Sequence, residues 1–160
     1  MDQNATIGSG PEGIAQGAFV GSFLHTLDPK KRLTIPSEWR EIVGGANRLY
    51  VLPGVDEICL CVFPARDMVQ RLQPIRKHSI ADPRARKFAR VLGSQSQLEA
   101  WDPQGRIRVK DALLKFARLE SQVVLVGAFE SFELWNPDLW EASGTMDRTQ
   151  FRDAATYLGI

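Results

Sequence analysis

Asp28-Pro29-Lys30-Lys31-Arg32 and Asp102-Pro103-Gln104-Gly105-Arg106 are two copies of one pattern, DPxxR, set 74 residues apart. An internal repeat constrains the fold before any single element does, because each copy must build the same unit. The agreement extends beyond the motif. Leu33 and Ile35 fall on Ile107 and Val109, an alternating apolar pair that predicts a short strand. Trp39, Ile42 and Val43 fall on Leu113, Phe116 and Ala117, spaced as one face of a short helix. Leu49-Tyr50-Val51-Leu52 falls on Val123-Val124-Leu125-Val126, and Ile58 to Phe63 roughly matches Phe132 to Trp135. Each copy therefore reads strand, tight loop, strand, short helix, strand, turn, strand. The fold class is mainly β with short helices (α+β).

The loop has its own physical logic. Asp-Pro-Gln-Gly suits a type I turn, with Asp first, Pro second at a preset φ, and Gly fourth. The Asp carboxylate can accept turn N–H groups or pair with the Arg. Asp28, Pro29, Asp102 and Gly105 are thus the expected loop-structuring residues. Lys31 stands where copy two has Gly105, which predicts a first loop less tightly turned but more charged. Lys30, Lys31 and Arg32 put three consecutive cations at one hairpin tip.

A chain of 160 residues with 44% apolar content fits one domain, or two small halves sharing a core. Its net charge of +1 conceals asymmetry. Residues 66–90 hold eight basic side chains against Asp67 and Asp82, and residues 120–160 hold seven acids against Arg148 and Arg152. The basic stretch can attract phosphate; taken alone, a charge run more often marks a solvated helix face. No segment has the length of a membrane span. The N-terminus has no basic start followed by an apolar run, so no secretory signal is expected. Residues 1–17, with their scattered glycines, read as a disordered leader.

Between the repeats, residues 64–76 predict a helix with Met68, Leu72 and Ile75 on one face, ended or bent by Pro74. Asp82-Pro83 reads as an N-cap and first-turn proline. The helix that follows carries Phe88, Val91 and Leu92 and is expected to end at Gly93. Phe151, Ala154, Ala155 and Leu158 mark a terminal helix with too little apolar area to dock firmly without a partner subunit.

Catalytic machinery is missing from the pattern. His25 falls in a strand and His78 in an expected loop. No Gly-rich phosphate loop, zinc-spaced ligand cluster or nucleophile elbow occurs. Asp28 and Asp102 are a conceivable hydrolytic carboxylate pair. Each, however, has an Arg four residues on, which keeps both ionised instead of splitting their acidities. The chain is therefore read as a non-enzyme without cofactor. Cys59 and Cys61, placed at i and i+2 of a strand, suit a disulfide poorly. With no companion ligand apparent, they read as reduced thiols in a cytoplasmic protein, and no metal is expected.

Leu27-Asp28-Pro29-Lys30-Lys31-Arg32-Leu33-Thr34-Ile35-Pro36, Asp102-Pro103-Gln104-Gly105-Arg106-Ile107, Val124-Leu125-Val126-Gly127 and Phe132-Glu133-Leu134-Trp135 together resemble the MraZ family of bacterial transcription regulators, related in fold to the AbrB/MazE swapped-hairpin DNA-binding proteins. The resemblance covers residues 18–142. It implies a duplicated swapped-hairpin double-split β-barrel, pseudo-two-fold within one chain. Residues 18–76 would form the first AbrB-like repeat with a linker helix, 77–142 a linker helix and the second repeat, and 143–160 a short C-terminal helix and tail.

The resemblance also implies a ring-like homo-oligomer that binds double-stranded DNA at short promoter direct repeats. Such a regulator would be cytoplasmic and nucleoid-associated, would have no membrane partner, and would repress the division and cell-wall gene cluster. On this reading Lys30 and Lys31 contact phosphate, Arg32 reads a guanine edge, and Arg106 either touches DNA or braces the barrel through Asp102. Three features depart from the family pattern: Lys31 in place of Gly, Lys110 in place of Pro, and the long leader. Two competing readings stand beside it. One is a protein-binding scaffold or antitoxin-like barrel without DNA specificity; the other is a phosphohydrolase using Asp28 and Asp102.

Overall fold

A computed structural model describes residues 17–45 and 47–160. The leader, apart from Gly17, lies outside the described residues. The protein is a mixed α/β structure built on antiparallel strands and several short helices. The strands are β1 (Ser22–Thr26), β2 (Arg32–Thr34), β3 (Arg48–Pro53), β4 (Leu60–Pro64), β5 (Gln97–Ala100), β6 (Arg106–Arg108), β7 (Gln122–Gly127) and β8 (Phe132–Trp135). The helices are α1 (Ser37–Val43), α2 (Met68–Arg71), α3 (Gln73–Ser79), α4 (Pro83–Gln95), α5 (Asp111–Phe116), α6 (Pro137–Leu139) and α7 (Arg148–Leu158).

Six strands form one sheet in the order β1-β7-β8-β4-β3-β5, and β2 pairs with β6 in a second. The strands that precede the two loops each pair across the repeat boundary. β1 joins β7 through Ser22↔Val126 to Thr26↔Gln122, and β5 joins β3 through Arg48↔Ala100 to Val51↔Gln97. β4 and β8 meet at the sheet centre. The bonds that flank the loop strands also come in equivalent pairs. Ile35 N–H donates to the Gly105 carbonyl at 2.8 Å, and Val109 N–H donates to the Lys31 carbonyl at 3.1 Å. Adding 74 to the donor of the first bond and subtracting 74 from its acceptor gives the second.

Alternation along the strands builds the core. β3 buries Leu49 and Val51, β4 buries Leu60 and Val62, and β8 buries Phe132 and Leu134. Leu33 and Ile107, opposite each other on β2 and β6, close the core from the other side. Trp39 of α1 anchors it. Its ring packs against Phe19, Phe23 and Phe132, and its Nε1–H donates to the Val20 carbonyl at 3.1 Å.

Several local expectations need correction. The stretch 64–76 is not one helix: a 3₁₀ turn over Ala65–Asp67 leads into α2, and Pro74 sits in the first turn of α3. A first-turn proline has no helical N–H bond to lose, so here it starts a helix instead of ending one. His78 accordingly lies in α3, not in a loop. Asp82 does cap α4, accepting the Arg84 N–H, but α4 runs past Gly93 to Gln95. Nothing lies within 4 Å of a Cβ built at Gly93, and an exposed helical glycine without a following left-handed turn need not stop the helix. The terminal helix α7 forms as expected, with a capping box between Asp147 and Gln150, and Phe151 and Leu158 remain exposed. Cys59 falls just ahead of β4, so only Cys61 lies on a strand. Among the described residues no helix is long and apolar enough to cross a membrane.

Candidate functional site

The two DPxxR loops are organised by the same bonds. In the first, Asp28 Oδ1 accepts the N–H groups of Lys30 (2.9 Å) and Arg32 (2.8 Å). In the second, Asp102 Oδ1 accepts those of Gln104 (3.0 Å) and Arg106 (2.9 Å). The other carboxylate oxygen takes the arginine Nε, at 2.6 Å for Arg32 and 2.8 Å for Arg106. Turn closure is equally matched, Lys31 N–H donating to the Asp28 carbonyl and Gly105 N–H to the Asp102 carbonyl. A proline at the second turn position leaves no N–H that needs a partner there.

These donors hold both carboxyls below their ordinary value. For Asp28 the largest cause is the Arg32 backbone N–H, joined by its guanidinium and the Lys30 N–H. For Asp102 it is the Arg106 backbone N–H, followed by the Arg106 side chain. Two carboxylates depressed alike are a poor acid–base pair, because neither retains a proton to donate near neutrality.

The first loop is as tightly turned as the second, contrary to the expectation from Lys31. Lys31 adopts φ +64°, beside +80° for Gly105. The hydrogen bonds of the turn and of the following strand over-determine the backbone, so lysine is forced into the left-handed region. Gly105 cannot be exchanged as readily. A Cβ there would lie 2.5 Å from the Arg40 guanidinium carbon, and Arg40 Nε is itself bonded to the Ile35 carbonyl at 3.0 Å.

Pairing of β2 with β6 brings the two loops together into a basic edge. Lys30 and Lys31 are exposed at the tip, and Arg32 and Arg106 are half-buried on either side. Arg106 is heavily committed: its Nη2 meets Asp102 at 2.8 Å and Gln104 Oε1 at 2.5 Å, and its Nη1 lies 3.9 Å from Asp28. Arg32 donates from Nε alone among the described residues, which leaves both terminal nitrogens without a protein acceptor there.

Arg108 belongs to this edge and was not singled out by the sequence. It stands opposite Arg32 in register, is exposed, and donates Nε to the Lys30 carbonyl at 3.3 Å. Its counterpart in the first copy is Thr34, so comparing the repeats conceals it. The alternation of β6, which must point Arg106 and Arg108 to the face opposite Ile107, is the signal that could have found it. His25 is a structural neighbour, with Nδ1 2.8 Å from the Thr34 carbonyl oxygen.

The family model described as "MraZ protein, putative antitoxin-like" matches residues 92–156. A transcriptional regulator MraZ of Thermomicrobium roseum is 34% identical over 128 residues, covering 80% of this chain and 88% of its own. One of Desulfitobacterium hafniense is 33% identical over 140 residues (88% and 96%), and one of Finegoldia magna 29% over 137 residues (86% and 94%). The chain belongs to the MraZ family. MraZ relatives are named as regulators, which places the chain in a non-enzyme family and accords with the depressed carboxyls of its loops. The MraZ family model covers the second DPxxR loop, and the longer alignments to MraZ relatives span most of the chain.

Proposed function

We propose that the chain is a sequence-specific, DNA-binding transcriptional regulator that grips double-stranded DNA with its paired DPxxR loops. The observation that carries this reading is the convergence of Lys30, Lys31, Arg32, Arg106 and Arg108 on one edge, held there by β2–β6 pairing. Exposed lysines at the tip suit phosphate, which positions a protein on the duplex and makes binding salt-dependent. Arg32, braced through Nε, offers a planar fork to the two acceptors of a guanine. Arg106 spends its donors on Asp28, Asp102 and Gln104 and serves mainly as a brace.

The finer architecture belongs to the same proposal. Repeats over 18–76 and 77–142, followed by a 143–160 tail, form a swapped-hairpin double-split barrel. Cross-repeat strand pairing and the matched loop bonds support this. One protomer offers a small basic edge, so several copies in a ring-like homo-oligomer bind tandem short repeats together, gaining affinity by linkage. Two surfaces are free for such assembly: a groove lined by Leu52, Met68, Leu72, Ile75 and Leu92, and the exposed Phe151, Tyr157 and Leu158 of α7. The cytoplasmic, nucleoid-associated setting and repression of the division and cell-wall gene cluster complete the reading.

The deciding experiment is fluorescence anisotropy with DNA from upstream of the protein's own gene, against shuffled DNA at matched salt. Preference for the native sequence, lost with its repeats, supports the proposal. Equal affinity for both, or none for either, refutes it and favours a protein-binding barrel.

A further inference from the structure

Cys59 and Cys61 take no part in the basic edge. Cys61 on β4 stands opposite Glu133 on β8, and cross-strand partners project from the same face. That face is opposite the core, since Leu60, Val62, Phe132 and Leu134 point the other way and are fully buried. The turn between β3 and β4 brings in the third group. Gly54 N–H donates to the Cys59 carbonyl at 2.8 Å, and a Cβ on Gly54 would meet the Glu57 carbonyl oxygen at 2.4 Å and Cys59 Sγ at 3.3 Å. Only glycine allows a turn this close, and the closeness places Cys59 beside its partners.

The two Sγ atoms and a Glu133 carboxylate oxygen lie within 4.8 Å of one another. Tetrahedral zinc, with Zn–S of about 2.3 Å and Zn–O of about 2.0–2.2 Å, needs ligand atoms roughly 3.3–3.8 Å apart, within reach of small side-chain rotations. Glu133 is already oriented, because the buried Trp135 Nε1–H donates to its Oε1 at 2.9 Å and leaves Oε2 available. Once ionised, the two thiols and Glu133 put three anionic groups together. A divalent cation would relieve that concentration of anionic groups.

We propose that Cys59, Cys61 and Glu133 form a site for a thiolate-preferring divalent cation of the zinc type. Solvent completes the fourth position. Binding forms two metal–sulfur bonds and one metal–oxygen bond and releases the two thiol protons to water. β4 belongs to the first repeat and β8 to the second, so the ion staples the sheet where the halves meet.

The test is Co²⁺ titration of the reduced full-length chain, followed by Zn²⁺ displacement. The expected result is one Co²⁺ per chain, with thiolate-to-cobalt charge-transfer bands and tetrahedral visible bands that Zn²⁺ abolishes. Cys61→Ser, at a half-buried position, should lose about half of the charge-transfer intensity by removing one of two thiolates. Glu133→Gln should weaken Co²⁺ binding by about tenfold or more while both sulfur bands persist. Zn²⁺ should raise the melting temperature of the parent by more than that of Cys61→Ser. Bound cobalt without thiolate bands, no binding at all, an undiminished spectrum in Cys61→Ser, or parent-like affinity in Glu133→Gln would each overturn the assigned ligand set. Circular dichroism of each variant separates loss of the site from loss of the fold.

Discussion

Asp28 reaches across to the opposite loop: its Oδ2 lies 3.9 Å from Nη1 of Arg106 while binding Nε of its own Arg32 at 2.6 Å. Among the described residues the reverse contact, Asp102 to Arg32, does not occur. The two loops therefore share their bonds but not their charge balance. Arg106 has two carboxylates, and Arg32 has one that it shares. A half-neutralised Arg32 keeps more of its field for an external anion.

Both loop carboxyls titrate below the ordinary 3.8 when folded. A depressed folded value means the contribution to stability is complete above the unfolded value and disappears as pH falls through the folded one. Thermal melts of the parent should hold steady from neutrality to about pH 5 and decline below it. In the Asp28→Asn/Asp102→Asn double variant that acid decline should be shallower and the neutral melting temperature lower. An identical acid slope in both proteins would remove the loop carboxylates from the acid response.

Lys31 offers a separation of stability from binding. Its φ of +64° costs an L-residue roughly 1–2 kcal/mol, part of which glycine returns through its looser unfolded state. Lys31→Gly should therefore leave stability unchanged or raise it by up to about 1 kcal/mol. The same variant should lower the slope of log affinity against log salt by about 1, because one phosphate contact is gone. Denaturant melts and salt-dependent anisotropy read the two effects independently. A destabilised variant would contradict the backbone argument.

Gly105 should tolerate nothing larger. Gly105→Ala meets both an unfavourable φ of +80° and the Arg40 guanidinium carbon at 2.5 Å. A loss of about 2 kcal/mol is expected, since strain adds to displacement of a bonded arginine. Combining it with Arg40→Ala should recover the steric share and leave the conformational share, which a double-mutant cycle resolves.

Arg32→Ala should cost about 1–3 kcal/mol in operator binding and relax preference at one base. Arg108→Ala, acting on a sequence-blind contact, should weaken all DNA alike and reduce the salt slope by about 1. Anisotropy against single-base operator variants distinguishes the two patterns. Operator binding by Arg32→Ala equal to the parent at matched salt would end its assignment to base reading.

Much of the local structure is legible in the chain because it depends on neighbours a few residues apart. Asp28 and Asp102 announce their turns since an Asx side chain, a fixed proline φ and a following arginine interact within five residues. Asp82 announces the start of α4 for the same reason. The unbroken apolar runs Leu49–Leu52 and Val123–Val126 predict strands, and the 74-residue repeat predicts that each unit is built twice. Where local signals compete, they mislead: Pro74 breaks one helix and begins another with equal propensity.

Pairing across the repeat boundary lies beyond that range. Which strand β1 joins, that Arg108 faces Arg32, and that Glu133 arrives beside Cys61 all follow from contacts between residues far apart in the chain. Lys31 makes the point in one residue. By propensity it loosens a turn, yet long-range bonds from Val109 and the turn's own hydrogen bonds hold it at φ +64°. The chain alone determines which segments are strands, caps and turns, since those depend on local sterics and hydrogen bonding. Tertiary structure decides which charges and thiols become neighbours, because burial of a shared apolar core selects one pairing among many that local energies leave nearly equal.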